Sequence, residues 1–294
     1  MQAPEVDQTI VIRPIRPDDA ERCGRIAFEA HRDVAARHNF PSEQHSVEFS
    51  IGLIKAKLAD SNARGVLAEC AGDIVGSAFI NTFPPAPVAA VGPLTVHPSA
   101  SAGVGRRLMT ELLDQTAAHE FESIRLVQSP SHLQSLALYA KLGFVVREPL
   151  VLMQGKCPTL AANAACVVRP AAENDMAVCK RLSERVMGVA RQFELSNTIR
   201  QNLATVIERS GRLTGYTTGI GFRGHAVAET TADLQALLAA TPQMPGPGFF
   251  VPTRNGELLQ WLLQGGLRML WPATLMTRGS YQEPAGAFLP SIAF

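Results

Sequence analysis

The sequence carries almost no net charge: 27 Lys and Arg stand against 26 Asp and Glu, a formal +1 at pH 7. A chain so balanced has no basic field with which to draw in nucleic acid or an anionic membrane, which points to small molecules as partners. Cysteine is sparse as well. Cys23, Cys70, Cys157, Cys166 and Cys179 are odd in number, far apart, and in neither a CxxC nor a Cys/His metal pattern. A disulfide framework and a metal site are therefore set aside, and a reducing cytoplasm is expected. No apolar run reaches membrane-spanning length, and the opening Met1-Gln2-Ala3-Pro4-Glu5-Val6-Asp7-Gln8 lacks the basic end and apolar stretch of a secretory leader. With 46% hydrophobic residues in a chain of 294, disorder is excluded and there is room for two domains, each with its own core.

Against this background one stretch stands out: Val96-His97-Pro98-Ser99-Ala100-Ser101-Ala102-Gly103-Val104-Gly105-Arg106-Arg107-Leu108-Met109. It reads as an apolar strand, a small-residue turn and the start of an amphipathic helix. Gly103 and Gly105 let the backbone come close to an anion, while the amides and dipole of the helix start supply donors and partial positive charge, as a pyrophosphate cradle requires. Arg106 and Arg107 fit phosphate contact and an exposed first helical turn equally well. A dinucleotide fold would want a third glycine where Leu108 stands, and strictly alternating strands and helices; neither is present.

The chain also repeats itself. Arg13-Pro14, Asp19 and Cys23 recur as Arg169-Pro170, Asp175 and Cys179, 156 residues on. Glu69, Gly72 and Gly76 recur as Glu208, Gly211 and Gly215 at a separation of 139, and Gly143, Pro149 and Leu152-Met153 as Gly266, Pro272 and Leu275-Met276 at 123. The falling offset describes two copies of one fold, the second shorter by 17 residues in its first third and by 16 more in its middle. That second loss lies between Gly215 and Gly266, the interval that holds the glycine turn in the first copy. Domains at 1–155 and 166–294 are expected, joined by a small-residue linker over 156–165.

Within the first copy, Thr9 to Arg13 reads as a strand, and Asp18 or Asp19 as the cap of a helix with Ala20, Cys23, Ile26, Ala27 and Ala30 on one face. Val66–Glu69 and Ile74–Ile80 form a hairpin about Ala71-Gly72-Asp73, and Ala90–Val96 is the next strand. Leu108, Met109, Leu112, Leu113 and Thr116 keep helical spacing, and Ile124–Val127 is a buried strand. A helix over His132–Leu142 stops at Gly143, and two strands, Phe144–Val146 and Leu150–Met153, close the sheet. The order is β-α-α-β-β-β-α-β-α-β-β.

That order, with a glycine turn after the fourth strand and a tyrosine helix after the fifth, resembles the GNAT family of acetyl-CoA-dependent N-acetyltransferases. The family's motif Arg/Gln-x-x-Gly-x-Gly/Ala reads here Ala100-Ser101-Ala102-Gly103-Val104-Gly105, with alanine in the leading polar place. The family's Tyr-x-x-x-Gly-Phe is met within Ser135-Leu136-Ala137-Leu138-Tyr139-Ala140-Lys141-Leu142-Gly143-Phe144; its frequent asparagine seven residues earlier is His132. The resemblance covers about residues 9 to 155 and implies an α/β (α+β) fold of two GNAT-like domains, each a mixed, mostly antiparallel sheet flanked by helices. The second would be degenerate, with Leu262 in the tyrosine place and no cradle.

The resemblance further implies acetyl-CoA as co-substrate, no metal, and a small-molecule amine as acceptor, in a monomer or homodimer. The fourth and fifth strands would splay around the thioester, with Leu94, Thr95 and Val96 polarising its carbonyl and holding the pantetheine arm. Ala102, Gly103, Val104, Gly105 and Arg106 would bind the pyrophosphate, Ser135 would add a cofactor contact, and Tyr139 would be the general acid. By itself Tyr139 also reads as a core residue packed with Leu136 and Leu142. For the general base His97, Glu69, Glu29, His31 and His38 are open candidates, as is a chain of waters. Acceptor choice is expected from residues 28–43 and from the second copy, which would form a wall or lid of the acceptor pocket or simply bury apolar surface of the first. Its distinctive stretches are Gly221–Ala226, Val251–Asn255 and the terminal Phe288–Phe294, with Arg254-Asn255 reading as a helix cap or a ligand contact. A non-enzymatic acyl-CoA-binding protein and an acyltransferase using another acyl-CoA remain as alternatives.

Overall fold

The structure, a computed structural model, describes residues 10–100, 102–117, 121–160, 166–241, 244 and 246–293. Thr9, Ser101, the end of the linker over 161–165, and Phe294 lie outside the described residues. The chain divides into two compact units, Met1–Asn81 with Val91–Phe121, and Thr82–Ala90 with Glu122–Phe294.

In the first unit, β1 (Ile10–Pro14) pairs antiparallel with β2 (Ala63–Cys70), which pairs antiparallel with β3 (Asp73–Phe83), and β4 (Ala86–Val96) follows. Ala71 and Gly72, at φ +51° and +88°, make the two-residue turn between β2 and β3, a conformation in which both central residues need positive φ. Helices α1 (Ala20–Arg37) and α2 (Val47–Ala59) lie against one face of the sheet, where Ala20, Cys23 and Ile54 bury Leu67 and Phe79. The two helices touch closely because Gly24 faces Ile51, whose Cα would stand 2.5 Å from any added Cβ. The other face takes α3 (Val104–Ala117) over Gly76, where a Cβ would meet the Thr95 carbonyl at 2.8 Å. Asp19 stands at the cap position of α1 without capping it. Its carboxylate instead accepts the Arg16 amide (2.7 Å) and the Arg13 guanidinium (2.8 and 2.9 Å).

In the second unit the beginning of β4 pairs in parallel with β5 (Ser123–Gln128) over Val88–Ala90 against Ser123–Arg125. Then come β12 (Arg268–Gly279), β6 (Val145–Gln154) and β11 (Phe249–Pro252), all antiparallel neighbours. A second sheet runs β13-β10-β9-β8-β7, from Ala287–Leu289 through Ala226–Ala228, Arg212–Thr217 and Thr205–Arg209 to Cys166–Pro170. Helices α4 (Leu133–Lys141), α5 (Met176–Met187), α6 (Gln192–Arg200), α7 (Thr231–Ala239) and α8 (Gly256–Gln264) complete it. The two closing strands expected at 144–146 and 150–153 are one strand, β6. A bulge at Arg147 absorbs the irregularity, and Pro149 spends its carbonyl on Thr253 N.

From β7 to β12 the element order repeats that from β1 to β6, including a 3-10 turn before the first helix of each copy. The copies share a half-buried ion network. Arg13 holds Asp19 bidentately and Glu69 through Nε and Nη2 at 2.9 and 2.7 Å; Arg169 holds Asp175 and Glu208 in the same way. Their last strands are exchanged: β5 of the first copy pairs with β12 of the second, and β11 of the second with β6 of the first.

Candidate active site

At the end of β4 the chain turns through His97–Ala100 and enters α3 at Val104. Gly103 has φ +98° and a Cβ there would meet nothing within 4 Å, so this side of the glycine is open. The first bond of the helix runs from Arg107 N to Gly103 O (3.0 Å), which leaves the amides of Val104, Gly105 and Arg106 without intrahelical acceptors. No acidic residue sits in the first turn of α3 to offset its dipole, and Arg106 and Arg107 are exposed. Such a helix start binds an anion through backbone donors and field together. Such donors can hold an anion without a lysine.

Leu94, Thr95 and Val96 precede it. The Thr95 side chain is buried against Ser77 (3.3 Å between hydroxyls). His97 N donates to Val75 O of β3 (2.9 Å), and by the alternation of an antiparallel ladder Thr95 also directs its backbone to β3, whereas Leu94 and Val96 turn theirs away. Two of the base candidates meet: His97 Nε2 lies 3.0 Å from Glu29 Oε2, while His97 Nδ1 faces Ser99 Oγ at 2.7 Å. His31 is tied to Ala27 O and Gln44 with Glu43 at 3.6 Å, His38 stacks on Phe40, and Glu69 belongs to the Arg13 network.

In the other unit, Tyr139 lies on α4, 7% exposed, with the Phe144 ring edge-on at 6.0 Å. Burial pushes its phenol up to about 12, so it stays protonated across the neutral range. Gly143, at φ +86°, ends the helix and lets Phe144 N return to Tyr139 O (3.0 Å). Ser135 Oγ lies 2.5 Å from Nδ1 of His132, the residue at the start of α4. Gln128, at the end of β5, is buried with both atoms of its carboxamide unpartnered. In the sequence it carries no motif, a single glutamine after Ile124-Arg125-Leu126-Val127.

The second copy has closed the equivalent places. At the start of α7, Thr230 Oγ1 caps the helix by accepting Asp233 N (3.1 Å), and the 1%-exposed Asp233 carboxylate, in the first turn, accepts from Arg209 at 2.9 and 2.7 Å, so this helix start carries its own cap and acid. The edge of β10 is taken by β13, Ala226 opposite Leu289. Leu262 is fully buried. Asn255 is a cap, accepting Leu258 N at 3.1 Å, and Arg254 pairs with the buried Glu148 at 2.6 Å. Among the described residues no His, Cys, Asp and Glu cluster could hold a metal, and no helix is long and apolar enough to cross a membrane.

Known proteins share this fold. A model of the Acetyltransferase (GNAT) family matches residues 27–144. A protein of Pyrococcus horikoshii provisionally described as an acetyltransferase has the same fold, with TM-score 0.70 and 19% identity over 100% of this chain and 98% of its own. A GCN5-related N-acetyltransferase from Sphaerobacter thermophilus gives 0.64 and 15% over 95% and 98%. A tandem GNAT protein from the clavulanic acid biosynthesis pathway gives 0.54 and 16% over 94% and 99%. No curated protein sequence matches the chain.

Proposed function

We propose, from the match of residues 27–144 to a model of the Acetyltransferase (GNAT) family, that the chain belongs to this family of acyl-CoA-dependent transferases and is an acetyl-CoA-dependent N-acetyltransferase acting on a small-molecule amine. The observation that carries the reading is the asymmetry between the copies. The α3 start is open, glycine-lined and free of acid, whereas the α7 start is capped by Thr230 and carries the buried Asp233 in its first turn. One working copy beside one closed copy is the expected state of the chain.

In this reading the amides of Val104, Gly105 and Arg106, with Ala102 and Gly103, hold the pyrophosphate. Leu94 and Val96 offer outward backbone groups to the pantetheine arm and the thioester carbonyl, Thr95 fixes the strand through Ser77, and Ser135 adds a contact from α4. The acceptor nitrogen attacks the carbonyl carbon, the C–S bond breaks, the nitrogen loses a proton to water or to a base, and Tyr139 protonates the departing thiolate. Direct attack suits the thiols: all five are free, and burial pushes Cys23 to about 11 and Cys157 and Cys179 to about 12, too high for a resident acyl-cysteine at any of these three. Free thiols also suit a cytoplasmic enzyme. The domains are taken as 1–155 and 166–294, and the exchanged strands favour a stabilising role for the second.

Calorimetric titration of the whole chain with acetyl-CoA tests this. One site per chain is expected. No binding would overturn the transferase reading, and two sites would overturn the account of the second copy.

A further inference from the structure

A pocket of about 480 Å³ lies at the amino end of β5, within the second unit. Its walls come from the start of β4, from α5 and the loop after it, and from the residues that follow β12. This is the end of β5 away from the turn that leads to Tyr139 on α4, so the pocket is apart from the chemistry proposed above. Arg125, on its lining, is 3% exposed. The guanidinium donates through Nε to Ser123 Oγ at 3.2 Å and lies over the Tyr281 ring, 5.5 Å from its centroid. The hydroxyl of Tyr281, also a lining residue, is buried and has no hydrogen-bond partner. Burial pushes the Arg125 guanidinium down to about 9; the Tyr281 phenol opposes that shift, and Arg191 adds to it as a further positive charge. At neutral pH the group is still a cation.

Keeping a cation out of water is costly, and a methionine would fill similar space without that cost. Beside a pocket large enough for a small molecule, the guanidinium is matched by an oxyanion, and its planar fork suits a carboxylate. The rest of the lining narrows the choice. Glu122 and Glu184 stand on its exposed part, with Lys180 on Glu184 at 2.6 Å. Two carboxylates there repel a phosphate or a dicarboxylate and attract an ammonium. Val88 and Val189, both buried, add apolar surface. A carboxylate, an ammonium and an apolar side chain together describe a free amino acid. We propose that this pocket is a binding site for a hydrophobic α-amino acid, with its carboxylate on Arg125 and its ammonium toward Glu122 and Glu184. The site is additional to the transferase centre and does not depend on the acyl-CoA reading.

The test is calorimetric titration of the full chain with L-leucine, L-methionine and L-phenylalanine, and separately with coenzyme A. At least one of the three amino acids should bind the wild type at one site per chain. Arg125→Met should lower that affinity at least about tenfold and leave coenzyme A affinity unchanged. A second variant, Glu122→Gln with Glu184→Gln, changes only exposed side chains and so leaves the core in place. It should weaken the amino acid several-fold and leave the affinity for 4-methylpentanoate, which is leucine without its ammonium, as in wild type. No binding of any of the three amino acids would overturn the proposal. Amino-acid affinity unchanged in the double glutamine variant would overturn it and place the ligand elsewhere, the acceptor site included. Inorganic phosphate binding more tightly than the amino acids would overturn it in favour of a phosphate site. A wild-type chain that binds an amino acid but no coenzyme A would overturn the acyl-CoA reading and support this one.

Discussion

Leu150 on β6 pairs across the ladder with Ala273 on β12, its own counterpart 123 residues later in the repeat. The pairs around it mirror one another: Pro149 faces Thr274 while Val151 faces Pro272, and Glu148 faces Leu275 while Leu152 faces Trp271. Even the bulges correspond, at Arg147 and at Leu270, again 123 apart. An antiparallel pairing of a strand with its own duplicate has a two-fold axis at its centre, the geometry of a symmetric dimer interface folded into one chain. Neither copy completes its sheet from its own residues.

A cut in the chain should therefore not release either half. With a protease site placed within 161–165 and cleaved, the two fragments are expected to elute as one particle from size exclusion in native buffer and to separate only in denaturant. Fragments that drift apart on dilution would contradict the exchange.

Much of this was legible in the sequence, because the duplicated residues are those with strict roles. Arg13, Asp19 and Glu69 survive as Arg169, Asp175 and Glu208 since each closes a half-buried ion network in which every member pairs with another. Gly143 and Gly266 survive because both hold φ near +90° after a helix. The cradle was legible for the same reason at Gly103. The exchange was not, since β6 would present the same apolar pattern to a strand of either copy and only the partner's register distinguishes them. Arg254 with Glu148 was equally hidden, a contact between residues 106 apart. The closed start of α7 rests on the burial of Asp233 beside Arg209, which composition does not record.

The ion networks make stability fall in acid. Hydrogen bonds from Arg13 and Arg169 hold the Asp19 and Asp175 carboxyls below their usual range. A carboxyl depressed in the folded state stabilises the fold above its unfolded value of about 4, and that contribution is lost as pH falls through the lower folded value. Melting temperature should thus be level from pH 7 to about 5 and drop steeply below about 4, with a shallower drop in an Asp19→Asn, Asp175→Asn variant. Arg13→Met should be the more damaging of the two arginine changes, because Arg13 is 23% exposed and Arg169 35%. An acid limb identical in wild type and double variant would remove the networks from the explanation.

Gly103 separates binding from folding. At φ +98°, alanine is strained by roughly 1 kcal/mol although its methyl touches nothing. The methyl would stand on the open side of the turn, where the anion has to approach. Gly103→Ala is expected to lower the melting temperature by only a few degrees and coenzyme A affinity by at least about tenfold. Full affinity in a folded variant would move the pyrophosphate elsewhere.

Tyr139 is where packing and chemistry can be told apart. Its ring fills the space beside Phe144, and among the described residues its hydroxyl has no hydrogen bond. Removing the oxygen alone should leave the core intact, so Tyr139→Phe is expected to melt at or above the wild-type temperature and to bind acetyl-CoA as well. As the acid for the thiolate, however, the hydroxyl is worth roughly 10²-fold or more in kcat, and the loss should appear in kcat with KM for acetyl-CoA nearly unchanged. Because burial raises the phenol to about 12, wild-type kcat should show no alkaline decline from this group below about pH 10, whereas an ordinary phenol would begin to lose its proton there. A Phe variant with wild-type turnover would return Tyr139 to the core and leave the thiolate to be protonated by water.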